Sequence, residues 1–423
     1  MGSVSLQGQR LRRVEEDFAS LPGRYLGAGR RFDATFQVRL GDVGRTWEVR
    51  ARADRCEVRP SPRREPDVII GTDAATWLAL RGGRLSGLDA FAQRRLYARG
   101  NLDLALEFEG LFRLPGGRPP LLRVTGVEIP GATISALISG YGTEPVVCLH
   151  GLGASKASFF ETVAELTPAY TVHAIDLPGF GSSSKPARAG YNARYFAGTT
   201  LDYMDEMAID RAHLVGNSMG GRIALELALT APERVLSASL LSPALAFLRR
   251  RELVPLVKLI RPELAAIPHP LRAARVREQF WGLFARPEQL DPLVADLAAE
   301  EFCRIYRSRS ARVAFFAAAR NIYLDPPHGE RGLWTRLAGL SPPALFVWGK
   351  DDRLVPRAFS RHVAEALPQA HQVVLSDCGH VPQVELPEVT NALIRQHLEA
   401  AAGELGEAGR ASVVGPRTQA LAT

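Results

Sequence analysis

Four short segments carry side chains able to do acyl chemistry: Gly216-Asn-Ser-Met-Gly-Gly221, His150-Gly-Leu-Gly153, Trp348-Gly-Lys-Asp-Asp-Arg-Leu-Val-Pro356, and Ser376-Asp-Cys-Gly-His-Val-Pro382. A serine hydroxyl becomes a competent nucleophile when a neighbouring base takes its proton. An imidazole does that best when a carboxylate fixes its tautomer and stabilises the imidazolium. Ser218, His380 and one of Asp351 or Asp352 supply those three functions. Each segment also has a plainer reading: a capping turn, a glycine-rich turn, a turn aspartate and a solvated loop histidine.

The elements around these segments decide between the readings. Ser218 follows the strand-like His213–Val215 and precedes the helical run Met219–Thr230. A G-x-S-x-G between strand and helix is a nucleophile elbow: small residues let the turn close, and the serine sits at a helix N-terminus. There the helix dipole and the N–H of Met219 face any developing negative charge. His150 follows the strand-like Val146–Leu149, the aspartates follow Ala344–Trp348, and His380 follows the strand in His371–Leu375. Further strand-like runs at Thr171–Ile175 and Val235–Leu241 alternate with helical runs at Ala154–Leu166, Asn192–Ile209, Phe359–Leu367 and Pro387–Ala401. Short apolar strands alternating with amphipathic helices make βαβ units and a parallel sheet. From about Ala244 to Leu340 the strand pattern stops, and a proline-broken helical stretch splits the sheet. From Gly403 the tail is rich in Gly and Ala and is expected to be disordered.

Residues 14–114 read differently. Phe32, Ala34, Phe36, Val38 and Leu40 alternate with Asp33, Thr35, Gln37 and Arg39, the signature of a half-buried antiparallel strand. Trp47, Val49, Ala51 and Ala53 continue the pattern after a turn at Gly41–Gly44. Asp73, Ser86 and Asn101 are placed to cap helices over Ala74–Leu80, Gly87–Gln93 and Leu102–Phe112. This is an α+β domain. Pro115-Gly-Gly-Arg-Pro-Pro120 reads as a linker.

The 423 residues suit two or three folding units, and a hydrophobic fraction of 46% suits a packed core. The net charge is +7, and the positive charge is almost wholly Arg, since Lys stands only at 156, 185, 258 and 350. It is spread along the chain with no nucleic-acid motif, so no nucleic-acid partner is expected. No apolar run is long enough for a transmembrane segment. The start of the chain lacks the apolar stretch of a secretory signal, and a cytoplasmic location is expected. Cys56, Cys148, Cys303 and Cys378 are scattered, without metal-ligand spacing, and read as free thiols with no metal.

Residues 121–402 resemble the α/β-hydrolase superfamily, through the four segments above together with Asp176-Leu-Pro-Gly-Phe-Gly-Ser182 and Gly379-His-Val-Pro-Gln-Val-Glu385. The chain order Ser218, acid, His380 is that of this fold. The resemblance puts the acid at Asp352, the second oxyanion donor at the backbone N–H of Leu152 beside that of Met219, and a substrate-selecting cap at about 244–340. It requires no cofactor. Residues 14–114 resemble the sterol carrier protein type-2 domain through Asp67-Val-Ile-Ile-Gly-Thr-Asp-Ala-Ala-Thr-Trp-Leu-Ala-Leu80, Gly87-Leu-Asp-Ala-Phe91 and Leu96-Tyr-Ala-Arg-Gly-Asn-Leu-Asp103. That family is an α+β fold with an apolar tunnel, which implies a lipid or acyl ligand.

Together these imply a serine hydrolase that cleaves a hydrophobic carboxylic ester or thioester through an acyl-enzyme on Ser218. Phe280, Trp281, Phe284, Phe315 and Phe316 are candidates to line the cap side of its pocket. The elbow also resembles the carbon–carbon bond hydrolases of aromatic degradation. Against them, this chain has His150-Gly-Leu-Gly-Ala-Ser155 where they extend the loop with Gly-Pro-Gly, and Val381 where they carry Trp. An acyltransferase would use the same three side chains, and a lipid carrier would use none of them.

Overall fold

The computed structural model describes residues 6–28, 32–114, 122–247, 253–259, 261–266 and 272–413. The expected linker 115–120 lies outside the described residues.

The first domain is built on strands β1 (Asp33–Leu40), β2 (Arg45–Arg52), β3 (Cys56–Arg59), β4 (Val68–Thr72) and β5 (Leu96–Gly100), in the order β3-β2-β1-β4-β5. β1 forms an antiparallel hairpin with β2 across the turn at Gly41–Gly44 and is also the central strand of the sheet. It pairs antiparallel with β2 and parallel with β4. Thr35 and Gln37, on the face opposite the apolar set, are buried as well, and the Gln37 amide donates to the Arg64 carbonyl at 3.2 Å. The helix Leu6–Arg24 covers this sheet. Its Phe18 ring stacks on Trp47 and Trp77, with centroids 4.3 and 4.5 Å away. Asp73 caps Ala74–Arg81, Ser86 forms a capping box with Asp89 on Gly87–Ala92, and Asn101 caps Leu102–Gly110. Each cap supplies an oxygen to N–H groups that the first helical turn leaves unpaired.

The second domain holds eight strands: β6 (Leu122–Ile129), β7 (Ala132–Ser139), β8 (Pro145–Leu149), β9 (Thr171–Ile175), β10 (Ala212–Asn217), β11 (Val235–Leu241), β12 (Ala344–Gly349) and β13 (His371–Leu375). Their order is β13-β12-β11-β10-β8-β9-β7-β6. Strands β8 to β13 are parallel, and the β6–β7 hairpin adds an antiparallel edge. Strands β8, β10, β11 and β12 are almost wholly buried because helices cover both faces of a parallel sheet. In such sheets sites form beyond the carboxyl ends of the strands, which is where all four chemistry-bearing segments lie.

Between β11 and β12 the described residues form helices Val254–Leu259, Ala273–Trp281, Pro292–Tyr306, Arg309–Leu324 and Leu333–Leu337. The last helix, Pro387–Val413, continues past Gly403, where disorder is expected. Glu404, Leu405, Glu407 and Ala408 are good helix formers and carry it across the glycine. The rest of the tail, 414–423, lies outside the described residues.

Candidate active site

β10 ends at Asn217 and the helix Met219–Thr230 begins directly after Ser218. Ser218 has φ 54° and ψ −114°, a left-handed backbone that costs a non-glycine residue about 1–3 kcal/mol. So tight a turn needs glycine around it. A Cβ on Gly216 would strike the main chain of Gly220, and one on Gly220 would strike that of Leu149. The Ser218 N–H donates to the Leu241 carbonyl at 2.9 Å. The Asn217 side-chain amide donates to the carbonyls of Leu241 and His380, both at 3.1 Å, and so ties the elbow to the histidine loop.

Ser218 Oγ lies 2.8 Å from His380 Nε2, and His380 Nδ1 lies 2.8 Å from Asp352 Oδ2. A carboxylate only accepts, so Nδ1 carries the proton and Nε2 accepts from the serine hydroxyl. The other Asp352 oxygen accepts the N–H groups of Leu354 and Val355 at 2.8 and 2.9 Å. The Asp352 side chain is 1% exposed, so little water screens its attraction for the imidazole. Asp351 is exposed, and its N–H donates to the Cys378 carbonyl. The carboxylate that meets the imidazole is therefore Asp352.

The His150–Gly153 turn runs against the elbow: a Cβ on Gly151 would lie 3.3 Å from Ser218 Cβ. Among the described residues neither the Leu152 N–H nor the Met219 N–H has a hydrogen-bond partner. His150 is wholly buried, and burial holds its pKa below the ordinary histidine value. Its Nε2 accepts the Leu177 N–H at 3.0 Å, so its Nδ1 carries the proton and donates to the Gly151 carbonyl at 2.8 Å. A neutral ring thus anchors the turn.

Three positioning groups escaped sequence reasoning. The Lys156 ammonium, 2% exposed, lies 2.7 Å from Asp176 Oδ2, 3.0 Å from Ser135 Oγ and 2.5 Å from Asp103 Oδ1 of the first domain. Burial pushes the Asp176 carboxyl up, but the Lys156 ammonium overrides this and holds it below the usual carboxylate range. Glu385 accepts the Gly379 N–H at 2.5 Å and the N–H groups of Ala285 and Arg286 at 2.6 and 3.0 Å, joining the histidine loop to the cap. Leu283 completes the junction, its carbonyl accepting the His380 N–H at 2.7 Å. Glu385 lay within a motif segment without a role. Lys156 followed the glycine-rich turn as a rare lysine in an arginine-rich chain.

Of the cap aromatics, Phe280 and Phe315 line the cavity at Ser218, and Phe302 joins them. Phe284 is buried within the cap and Phe316 points to solvent. Phe302 and Phe315 close on Gly153, whose φ of 77° and lack of a Cβ admit them. Among the described residues no cluster of His, Cys, Asp and Glu could hold a metal ion, and no helix is long and apolar enough to cross a membrane.

Residues 144–387 match the model of the alpha/beta hydrolase fold family, and residues 21–113 that of the SCP-2 sterol transfer family. A dihydrolipoyllysine-residue acetyltransferase component of an acetoin cleaving system from Cupriavidus necator is 33% identical, over 64% of this chain and 68% of that one. A 2-hydroxy-6-oxononadienedioate/2-hydroxy-6-oxononatrienedioate hydrolase from Paraburkholderia phymatum is 30% identical, over 62% of this chain and 88% of that one. Among solved structures, a membrane phospholipase A described as a bacterial virulence factor superposes with a TM-score of 0.56 at 29% identity, covering 67% of this chain and 87% of its own. The chain belongs to the α/β-hydrolase family, as a hydrolase that carries an SCP-2-type domain ahead of its catalytic fold.

Proposed function

We propose that the protein is a serine hydrolase that cleaves a hydrophobic carboxylic ester or thioester, with Ser218 as nucleophile, His380 as base and Asp352 as the acid that orients it. The observation that carries this reading is the unbroken hydrogen-bonded line from Asp352 through His380 to Ser218, at 2.8 Å in each step, beside an apolar cavity.

His380 Nε2 takes the hydroxyl proton as Ser218 Oγ bonds to the substrate carbonyl carbon. The carbonyl oxygen becomes an oxyanion, and the Leu152 and Met219 N–H groups are free to receive it, each worth roughly 3–4 kcal/mol by analogy with known oxyanion holes. The tetrahedral species collapses, the carbon–oxygen or carbon–sulfur bond breaks, and the alcohol or thiol leaves with the proton from His380. Water then gives a proton to His380 and its oxygen attacks the acyl carbon. The acid departs, and Ser218 recovers its proton. Asp352 stays ionised throughout and holds the imidazole in register.

The experiment is turnover of p-nitrophenyl esters of graded acyl length by wild type and Ser218→Ala, with fluorophosphonate labelling of Ser218. Hydrolysis that survives Ser218→Ala, or a serine that does not label, defeats the reading.

A second reading is carbon–carbon bond hydrolysis. It is favoured by the 30% identity to the Paraburkholderia phymatum enzyme over 88% of that protein's length. Loss of absorbance from a 2-hydroxy-6-oxo-dienoate, with no turnover of the esters, would select it.

A further inference from the structure

The cavity at Ser218 does not end within the hydrolase domain. A single space of about 1290 Å³ is lined at once by Ser218, His380 and Leu152 and by Leu88, Phe91 and Leu106 of the first domain. It continues to Ile70 on β4 and Ala98 on β5. Pockets for small ligands commonly enclose roughly 300–1,000 Å³, so this space exceeds the needs of a short acyl group.

The seam between the domains is packed rather than wet. Leu88 shares a buried cluster with Phe159, Phe160 and Val163. The Phe91 ring meets the Phe160 ring edge-on, with centroids 5.8 Å apart. Lys156 takes one carboxylate from each domain, Asp176 and Asp103. A buried ammonium is tolerated only when so paired, and this fixes the helix Leu102–Gly110 against the catalytic turn. Arg99 on β5 also reaches Glu300 of the cap at 3.2 Å. The first domain therefore touches both the sheet body and the cap, the two sides between which the cavity opens.

We propose that the first domain is a wall of the active site, and that the substrate is a long-chain acyl ester or thioester whose chain extends from the carbonyl at Ser218 into that domain. This rests on the acyl-transfer reading of Ser218. One substrate molecule occupies both domains at once, with its distal methylenes against Leu106, Phe91 and Leu88. Each methylene moved from water to that surface gains burial energy, so selectivity for chain length is set by the first domain.

The test uses the full chain. The ratio of kcat/KM on p-nitrophenyl decanoate to that on the butyrate is measured for wild type and for Leu106→Trp, which fills the cavity at the seam. In parallel, a pyrene-labelled long-chain fatty acid is titrated into Ser218→Ala with and without Leu106→Trp. The expected result is a roughly tenfold fall in the ratio and a similar weakening of fatty-acid binding, because methylenes are kept out of the apolar space. Should Leu106→Trp fail to fold by thermal unfolding, Ala105→Met narrows the same cavity on its first-domain side and reads the same ratio. An unchanged ratio in a protein whose Ser218 labels with fluorophosphonate overturns the shared cavity and leaves the esterase reading intact. Absent ester turnover and absent labelling, with fatty-acid binding still weakened by Leu106→Trp, overturns the esterase reading while chain binding across the seam stands.

Discussion

Lys156 and Asp176 form an ion pair at 2.7 Å with both side chains almost wholly removed from water. The lysine belongs to the segment after the His150–Gly153 turn, and the aspartate to the loop after β9. Asp103 is the lysine's second carboxylate and comes from the other domain.

Removing the two partners is expected to cost unequal amounts. Asp176→Asn leaves a buried ammonium with one carboxylate and also weakens the acceptor for the N–H groups of Lys156 and Ser182. A loss of roughly 3–5 kcal/mol follows from breaking such a pair. Asp103→Asn leaves the Asp176 pair intact and should cost about 1.5–3 kcal/mol, the worth of one charged hydrogen bond. Urea unfolding of both variants checks the order; equal losses would contradict it.

The candidate catalytic side chains should act as one unit. Ser218→Ala and His380→Ala are each expected to lower kcat by about a millionfold, and the double variant by little more. Asp352→Asn keeps the shape but offers an amide to Nδ1, with an expected loss of about ten-thousandfold in kcat. Asp351→Asn should stay near wild type. Steady-state kinetics on one ester decides all five.

Glu385→Ala strips the acceptor from three main-chain N–H groups, those of Gly379, Ala285 and Arg286. Two lie in part-buried surroundings, and an unmet buried donor costs about 1–3 kcal/mol. A stability loss of roughly 2 kcal/mol is expected, with a drop in kcat as His380 loses its support. Glu385→Gln retains acceptor oxygen and should recover part of both. Calorimetry beside kcat measures the pair.

Burial pushes the carboxyls of Glu107 and Glu161 up from 4.5 to about 7, helped by Asp103 in the first case and Glu388 in the second, and opposed by Lys156 and Arg94. Each group holds its proton in the folded chain over a range where the unfolded chain has lost it. Their stabilising contribution is thus whole at acid pH and declines as pH climbs from about 4.5 through about 7. Glu107→Gln with Glu161→Gln should be flatter over this window than wild type, by on the order of 1 kcal/mol per group after screening. Thermal unfolding at several pH values compares the two. A parallel pair of curves would refute the assignment.

Much of the site was legible because its geometry is demanding. A serine backbone at φ 54° needs glycines at 216 and 220, and those leave a pattern in the chain. The apolar runs of β8, β10 and β12 advertise a sheet covered on both faces. Less was legible where the demand is met across long separations. Lys156 looked like an ordinary helix residue because its partners stand at 103 and 176. Composition does not encode which of the adjacent Asp351 and Asp352 faces the histidine, and only the family resemblance pointed to Asp352. The hairpin β6–β7 escaped notice although Pro130-Gly131 marks its turn, Gly131 having φ 77°. The placing of β1 in mid-sheet depended on its parallel neighbour β4, more than two dozen residues downstream.

The main-chain bond from His380 to Leu283 has a mechanical consequence. The carbonyl that steadies the imidazole loop belongs to the roof of the pocket, not to the sheet beneath it. From below, the Asn217 amide of the elbow holds the same loop through the His380 carbonyl. The cap and the elbow thus grip the His380 loop from opposite sides, and a change in the cap at Leu283 reaches that loop directly, without passing through the sheet.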